Sequence, residues 1–246
     1  MINTNTAIRI IINGAFGKMG IIASEFLNQE DNFIVIDRLG RGDRLAEVLV
    51  HKKPDLVIDL TRADCVYQNC QSYLDTKTRF VIGASGLSPT QILELKEACQ
   101  QKNLGGIIVP NFSIGSVLCT YFAKIAAPWF DGVDIIEMHH QQKADSPSGT
   151  AIYTAAEIHQ AKSEWPMMNS TPQPGREHFV HQVPIHSVRM PGLLAVQQTL
   201  FGQIGETISL NHQIIDRKAY MPGLRLACTK VITIEELKIG LEHWLL

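Results

Sequence analysis

The stretch of residues 137–151 contains the residue types that proton transfer and anion binding require. Two histidines, His139 and His140, end an apolar segment, and Lys143 follows them in a polar loop. A Pro-Ser-Gly-Thr sequence then indicates the start of a helix. The N–H groups of that helix start, the Thr150 hydroxyl and the Lys143 ammonium would together suit a carboxylate. A histidine beside such a site can act as a general acid near neutral pH.

Metal binding is the main alternative for the paired histidines. Consecutive strand residues point to opposite faces, so His139 and His140 are poorly arranged to share one ion, and no H-E-x-x-H sequence occurs. We therefore expect no metal. A hydrolase is also disfavoured, because the chain has no G-x-S-x-G sequence. The helix that follows the histidines has two candidate N-cap residues, Ser146 and Ser148.

A glycine-rich turn near the N-terminus predicts nucleotide binding. Residues 14–20 follow a short aliphatic segment and precede a stretch of helical length. Glycines in this context allow a tight turn and let the backbone approach a pyrophosphate, which the helix N-terminus attracts. The spacing is G-x-x-G-x-x-G rather than the usual G-x-G-x-x-G, so a purely structural glycine turn is the alternative.

Residues after the other aliphatic segments favour the same interpretation. Asp37 could accept hydrogen bonds from a ribose, and Arg38 could bind a 2′-phosphate, so both NADH and NADPH are expected to be accepted. Residues 59–62 and 83–86 also follow aliphatic segments, where ligands of open α/β sheets bind. Solvated loops and simple turns are the respective structural alternatives.

The elements that must position these residues fall into two groups. Before residue 110, short aliphatic segments alternate with stretches of helical length, which is typical of a doubly wound parallel sheet. Ser88-Pro89-Thr90-Gln91 predicts a capping box at one helix start. The predicted strands of this part are residues 8–12, 33–36, 56–58, 80–82 and 107–109, and the predicted helices include 18–28 and 91–102.

After residue 111 the pattern changes to an α+β domain with a mixed or antiparallel sheet. Residues 163–177 are interpreted as a loop, and residues 217–246 as a helical tail that returns to the first domain. The predicted helices are 115–129 and 149–162, the predicted strands are 133–140, 185–189, 195–201 and 207–214, and residues 202–206 form the predicted turn.

Composition excludes several classes of protein. The chain has 246 residues, 45% of them hydrophobic and 19% charged, with a formal net charge of −2, which is typical of a globular protein. The basic residues are scattered, so we expect no nucleic-acid partner. No segment has the apolar length of a spanning helix, and no targeting pattern is visible. With five cysteines and no C-x-x-C pair, a reducing cytoplasm is the expected location.

Five motifs in the correct order give the chain a close resemblance to the dihydrodipicolinate reductase (4-hydroxy-tetrahydrodipicolinate reductase) family. The most specific is the HH-x-x-K-x-D-x-PSGTA core within residues 137–151, and the glycine turn is the least specific. The other matching segments are Asp59-Leu60-Thr61, Gly83-Ala84-Ser85-Gly86 and Pro110-Asn111-Phe112-Ser113-Ile114-Gly115.

The resemblance implies a fold and an assembly. It implies an α/β protein with a Rossmann-like doubly wound parallel sheet, formed by residues 1–110 and 217–246. Residues 111–216 would then form an α+β domain with a mixed sheet that binds substrate and builds a homotetramer. Two segments, 195–198 and 219–223, depart from the family pattern, which puts the hinge and the assembly contacts in question more than the chemistry.

The resemblance also implies residue roles. His139 resembles the family's proton donor and Lys143 its companion acid. His140, Gly149 and Thr150 match positions that hold the substrate carboxylates, and Arg217 is a further candidate. The implied cofactor contacts are Gly14, Ala15, Phe16, Gly17, Lys18, Met19, Asp37, Arg38, Gly83, Ala84, Ser85, Val109, Pro110, Asn111 and Phe112.

The implied activity is the reduction of a cyclic imine dicarboxylate by NADH or NADPH, in lysine and diaminopimelate biosynthesis. Hydride addition builds negative charge on the carbon–nitrogen system, and a proton from His139 would neutralise it. Two alternatives remain open: another NAD(P)-dependent imine or amino-acid dehydrogenase on the same scaffold, and a non-catalytic module that senses NADH.

Overall fold

The computed structural model describes residues 7–162 and 178–246. Helices and strands alternate through most of these ranges. The strands are β1 (Ile8–Asn13), β2 (Phe33–Leu39), β3 (Leu56–Asp59), β4 (Arg79–Ile82), β5 (Gly106–Ile108), β6 (Gly132–His139), β7 (Phe179–Val180), β8 (Val183–Arg189), β9 (Ala195–Gln203), β10 (Glu206–Ile214) and β11 (Leu237–Ile239). The α-helices are α1 (Lys18–Leu27), α2 (Leu45–Lys52), α3 (Val66–Asp75), α4 (Pro89–Lys102), α5 (Ile114–Ala126), α6 (Gly149–Ala161) and α7 (Met221–Val231).

The chain packs as two units. The first unit contains the described residues up to Phe112 together with Tyr220–Trp244, and the second contains Ser113–Ala219 and the last two residues. The unit boundaries therefore lie at 112/113 and 219/220. The boundaries predicted from the sequence are 110/111 and 216/217.

The first unit is built on a six-stranded sheet in the order β2-β1-β3-β4-β5-β11, with every pair parallel. The strand order reverses at β1, which has β2 on one side and β3 on the other. In open α/β sheets such a reversal forms the crevice in which ligands bind. This sheet confirms the predicted Rossmann-like α/β fold.

Burial on both faces explains why these strands are continuous aliphatic segments. On one face Ile11, Val57 and Phe80 pack into a core cluster with residues of α2, α3 and α4. Ile10 and Ile58 are equally buried but lie outside that cluster, because alternate strand residues point to the other face. Helices α1 and α7, which contact each other and the sheet, belong to that second face. Side chains covered from both sides must be apolar, which produces the pattern seen in the sequence.

The predicted capping box of α4 is confirmed. The Ser88 Oγ accepts a hydrogen bond from the Gln91 N–H at 3.2 Å, and the Gln91 Oε1 accepts one from the Ser88 N–H at 2.9 Å. Both hydrogen bonds satisfy backbone donors that have no partner within the helix.

The second unit is built on a mixed sheet in the order β10-β9-β6-β8-β7. The central strand β6 is parallel to β8 and antiparallel to β9, which confirms the predicted mixed sheet. Val133 and Ile135 of β6 pack into a core cluster with Ala151, Ala155 and other residues of α6 and α5. Because strand side chains alternate, Glu137 and His139 share the face of β6 that these helices cover.

Three details differ from the sequence-based predictions. The tail is not wholly helical, because after α7 residues 237–239 form β11, the edge strand of the first sheet. Helix α5 ends at Ala126 and continues as a 3-10 turn, Ala127–Trp129. The β9–β10 turn is shorter than predicted, because β9 extends to Gln203 and β10 begins at Glu206. The predicted loop at 163–177 lies outside the described residues.

Candidate active site

A buried carboxylate organises the end of the central strand of the second unit. Glu137 is fully buried on β6, and its Oε2 lies 2.6 Å from the Nδ1 of His139, two residues further along the strand. Arg189, at the end of β8, donates to both carboxylate oxygens, from Nη1 to Oε2 at 2.9 Å and from Nη2 to Oε1 at 2.7 Å. His139 and Arg189 are register partners on parallel strands, so the pairing of β6 with β8 sets this geometry.

The network keeps Glu137 ionised. Burial alone would raise the pKa of the Glu137 carboxyl, but hydrogen bonds from His139, Arg189 and Ser187 together lower this pKa to about 2. The ionised carboxylate can accept a hydrogen bond from the Nδ1–H of His139. Neither Glu137 nor Arg189 was singled out by sequence reasoning. The sequence did contain a signal for Glu137, which is an acidic residue inside an aliphatic strand and lies on the same strand face as His139.

The loop after β6 joins the same network. The Lys143 ammonium donates to both carboxylate oxygens of Asp145, each at 2.8 Å. The Asp145 backbone oxygen in turn accepts a hydrogen bond from the Arg189 Nη2 at 2.8 Å. Although partial burial raises it, the pKa of the Asp145 carboxyl is lowered overall, mainly by the hydrogen bond from Lys143. Hydrogen bonds therefore connect His139 to Lys143 through Glu137, Arg189 and Asp145.

Helix α6 begins directly after this loop. Ser148, one of the two predicted caps, is the N-cap residue, and its Oγ accepts a hydrogen bond from the Ala151 N–H at 3.2 Å. Gly149 is exposed, and an added Cβ there would meet no atom within 4 Å. The first turn of α6 thus has open space around Gly149 at its positive end, which suits an anionic ligand.

The glycine turn of the first unit has the shape of a phosphate cradle. Gly14 has a φ of +83°, and an added Cβ would lie 2.6 Å from the Leu60 backbone oxygen. The N–H groups of Gly14 and Ala15 both donate to the Leu39 oxygen at 3.0 Å, which fixes the turn against the end of β2. Gly17 is the N-cap of α1 and provides no side-chain acceptor for the helix N–H groups. This arrangement fits the pyrophosphate of a dinucleotide.

The structure brings the predicted ribose-binding residues next to this turn. The Arg38 guanidinium lies 5.1 Å from the centroid of the Phe16 ring, which is 60% exposed. The Asp37 Oδ1 accepts a hydrogen bond from the Arg38 N–H at 2.8 Å, and Lys52 lies 3.8 Å from the Asp37 Oδ2. A carboxylate and a guanidinium are therefore both available at the end of β2, as dual NADH and NADPH recognition requires.

Lys18 and Met19 begin α1, and the predicted cofactor residues 83–85 and 109–112 lie where β4 and β5 end. An added Cβ on Gly83 would lie 2.5 Å from the Phe112 ring, so these two residues are packed against each other. Val109 and Phe112 are buried, while Ser85 and Pro110 are exposed. Ala15, in the glycine turn, is also fully buried. For the buried members, only the backbone can face a ligand.

Asp59, at the end of β3, has a structural environment. Its fully buried carboxylate accepts hydrogen bonds from the Thr61 hydroxyl and N–H, from the Asn69 amide at 3.0 Å and from the Tyr73 hydroxyl at 2.7 Å. The Thr61 hydroxyl, which the sequence suggested for a nicotinamide ribose, thus donates to Asp59. The network fixes the segment that follows β3, against which Gly14 packs.

Three other predictions concern Arg217, metal binding and membrane-spanning helices. Arg217 begins a 3-10 turn after β10 and is half-buried, and its substrate contact stays a prediction. Within residues 7–162 and 178–246, no cluster of three or more His, Cys, Asp or Glu side chains could hold a metal ion. None of the helices in these ranges has the length and apolar character needed to cross a bilayer.

A parallel sheet with a glycine cradle at its point of reversal, joined to a unit with a carboxylate–imidazole–lysine network, defines a two-unit NAD(P)H-dependent oxidoreductase. Family comparisons specify the class further. The chain belongs to the dihydrodipicolinate reductase family: residues 8–112 match the model described as "Dihydrodipicolinate reductase, N-terminus", and residues 115–245 match "Dihydrodipicolinate reductase, C-terminus".

Individual relatives cover nearly the whole chain. The 4-hydroxy-tetrahydrodipicolinate reductase of Legionella pneumophila (strain Paris) is 50% identical over 242 residues, which is 96% of this chain and 99% of the relative. That of Coxiella burnetii (strain Dugway 5J108-111) is 41% identical, covering 97% and 100%. Among solved structures, the dipicolinate-bound dihydrodipicolinate reductase from Paenisporosarcina sp. TG-14 superposes with a TM-score of 0.85 at 35% identity, covering 97% and 100%. The predicted family membership is confirmed.

Proposed function

We propose that this protein reduces 4-hydroxy-tetrahydrodipicolinate to tetrahydrodipicolinate with NADH or NADPH, in lysine and diaminopimelate biosynthesis. The observation that carries the proposal is the hydrogen-bonded chain from His139 to Lys143 at the start of α6. The relatives named above bear this activity in their names and match nearly the full chain. A structural relative with bound dipicolinate supports a cyclic dicarboxylate as the ligand class.

His139 is the proton donor in this proposal. Its Nδ1 bonds to Glu137, which leaves Nε2 to face a ligand. When bound, the reduced nicotinamide supplies the hydride. As the substrate ring takes up that hydride, negative charge builds on its carbon–nitrogen system, and the Nε2 proton neutralises it. Lys143 stabilises the same charge or assists as an acid, after its ammonium exchanges the Asp145 carboxylate for the substrate.

The substrate carboxylates are bound by His140, Gly149 and Thr150, with Arg217 as a further contact. The positive end of α6 and the open space at Gly149 support this assignment. Lys143 adds a full positive charge to the partial charge of the helix. Two carboxylates on one small ring need several such donors, and this loop and helix start supply them.

The first unit binds the cofactor. In this proposal the pyrophosphate lies on the glycine turn, and Asp37 and Arg38 recognise the adenosine ribose or its 2′-phosphate. The nicotinamide end contacts the ends of β4 and β5. The residues of these contacts are Gly14, Ala15, Phe16, Gly17, Lys18, Met19, Gly83, Ala84, Ser85, Val109, Pro110, Asn111 and Phe112.

The direct test is the absorbance decay of NADH or NADPH with freshly generated substrate. The His139→Gln variant should turn over about 10²- to 10⁴-fold more slowly, because it lacks the proton donor. NADH binding, measured by fluorescence, should be unchanged in this variant. Wild-type turnover in His139→Gln would refute the role of His139.

A substrate panel separates this reaction from the alternatives. Preferential oxidation of NADH with a linear imine or an amino acid would favour another dehydrogenase on this scaffold. NADH binding without oxidation, under any imine tested, would favour a sensing module. Only the proposed function requires the cyclic dicarboxylate.

We infer that the protein works as a homotetramer in the cytoplasm. The face of the second sheet opposite α5 and α6 bears half-exposed Ile136, Met138, Val196 and Leu200. Half-exposed apolar side chains grouped on one sheet face are typical of an interface between copies. Light scattering after size-exclusion chromatography tests the tetramer; a monomer mass would contradict it. Five free cysteines support a reducing compartment.

A further inference from the structure

Glu137 has more hydrogen-bond partners than a structural ion pair needs. Its side chain is fully buried, and Arg189 alone already engages both carboxylate oxygens. The His139 imidazole adds a third hydrogen bond to Oε2 at 2.6 Å. A buried carboxylate costs several kcal/mol of desolvation, and apolar replacements of buried ion pairs are often at least as stable. Stability therefore does not explain why this strand carries a glutamate two residues before His139.

We propose that Glu137 is a positioning residue for the reduction, holding His139 with its Nδ1–H bound and its Nε2 directed to the substrate. This inference rests on the proposed role of His139 as proton donor. A nitrogen that faces an ionised carboxylate at hydrogen-bond distance must carry the proton. The neutral imidazole that remains after proton donation is then the Nδ1–H tautomer, and Nε2 is the nitrogen that is reprotonated.

Arg189 secures this arrangement from the neighbouring strand. Its two hydrogen bonds to Glu137 fix the carboxylate in the plane from which Oε2 reaches His139. The same guanidinium donates to the Asp145 backbone oxygen, two residues after Lys143. Glu137 and Arg189 thus fix both proposed catalytic groups, the imidazole directly and the ammonium through the loop.

The surroundings of His139 show which charges act on it. Glu137 comes from its own strand, Arg189 from β8, and Lys143 with Asp145 from the following loop. On the other side of β6, the neighbouring strand β9 places the uncharged Ala195 and Gln197 opposite His139 and Glu137. Of the acidic side chains, Glu137 is the one bonded directly to the imidazole. Its hydrogen bond to Nδ1 fixes the orientation of the ring.

The tautomer can be observed directly in the unmodified protein. We would label the nine histidines with ¹⁵N and record imidazole spectra above neutral pH, assigning His139 from the spectrum of His139→Gln. Protonated Nδ1 and unprotonated Nε2 on His139 would support the proposal. An Nε2–H tautomer would overturn it. Because this measurement uses the wild-type chain, it holds even if variants of Glu137 fail to fold.

Kinetics of Glu137→Gln provide the second test. The amide keeps the shape of the side chain but removes its charge, and it places an N–H₂ group against donors of Arg189 or His139. We expect kcat to fall about 10- to 10³-fold with unchanged NADH binding. The Nδ1–H tautomer of His139 should also lose population in this variant, because the amide N–H₂ group can donate to Nδ1 where the carboxylate could only accept.

Glu157→Gln is the matched control. Glu157 lies on α6 of the same unit and forms an ion pair with Lys124 at 2.8 Å, and it belongs to no proposed site. A Glu137→Gln rate within twofold of this control would overturn the positioning role. So would a lower kcat with the His139 tautomer unchanged from the wild type, because a merely structural effect would lower the rate without changing the tautomer.

The two proposals fail differently. If His139→Gln retains full turnover, the role of His139 as proton donor is wrong. If His139→Gln is slow while Glu137→Gln behaves like the Glu157→Gln control, His139 remains the donor and only the inference about Glu137 is wrong.

Discussion

Substitution of Gly20 by alanine tests whether the glycine turn binds the cofactor. Gly20 closes the glycine turn on α1, and an added Cβ would lie 2.2 Å from the Gly14 oxygen and 2.6 Å from two backbone atoms of Ala15. All three contacts are with backbone, so no side chain can rotate away. The turn and the helix start must instead separate by about 1 Å to restore normal van der Waals distances.

The size of the effect follows from that displacement. Overpacking of this kind costs about 1–3 kcal/mol of folding free energy. The displaced N–H groups at the start of α1 would also lose their alignment with the pyrophosphate. Each hydrogen bond to a charged group contributes about 1.5–3 kcal/mol, so losing one weakens NADH binding about 10- to 150-fold.

Fluorescence titration with NADH and urea unfolding measure the two effects. Gly202→Ala is the control, because an added Cβ there meets only the end of the Thr207 side chain at 3.8 Å. We expect the control to match the wild type in both measurements. If Gly20→Ala bound NADH within twofold of the control, the glycine turn would not be the pyrophosphate site.

Three further outcomes are expected. Arg38→Ala should weaken NADPH about 10- to 100-fold, through loss of a charged hydrogen bond, and weaken NADH less; equal effects in fluorescence titrations would exclude Arg38 from 2′-phosphate recognition. Tyr73→Phe should lower the free energy of unfolding by about 2–3 kcal/mol in urea, because the buried Asp59 carboxylate loses the hydroxyl at 2.7 Å; a change below about 0.5 kcal/mol would contradict this account. The pKa of Glu137 is lowered from 4.5 to about 2, so its ionised form stabilises the fold above pH 4.5 and this contribution is lost as pH falls toward 2. The unfolding free energies of wild type and Glu137→Gln, measured across that interval, should converge as pH falls; a constant difference would argue against the lowered pKa.

Local sequence patterns predicted most of the first unit. The aliphatic segments identified five of its strands because the parts of a strand that are buried on both faces are mostly apolar, and the capping box at Ser88 uses contacts within four residues. β11 was missed for a related reason. It has only three residues, Leu237–Ile239, and its middle residue is a lysine, so it carries no aliphatic segment to recognise.

The candidate site was predictable only in part. His139, Lys143 and the α6 start lie within 15 residues, so their spacing and the family motif identified them together. Arg189 is 52 residues from Glu137 in sequence, and only the parallel pairing of β6 with β8 brings them together. Asp59 is similar, because its partners, the half-buried Asn69 and the buried Tyr73, come from the next helix. Partners that depend on tertiary contacts leave no short-range pattern.

The position of β11 has a consequence for biosynthesis of the chain. This strand follows all the other described strands in the chain, and it pairs with β5, which is completed about 130 residues earlier. Until β11 emerges from the ribosome, the first sheet has an unpaired edge at β5, where open backbone groups can pair with other chains. Losing the last ten residues should therefore promote aggregation of nascent chains, although every residue proposed to act in the reaction would still be present.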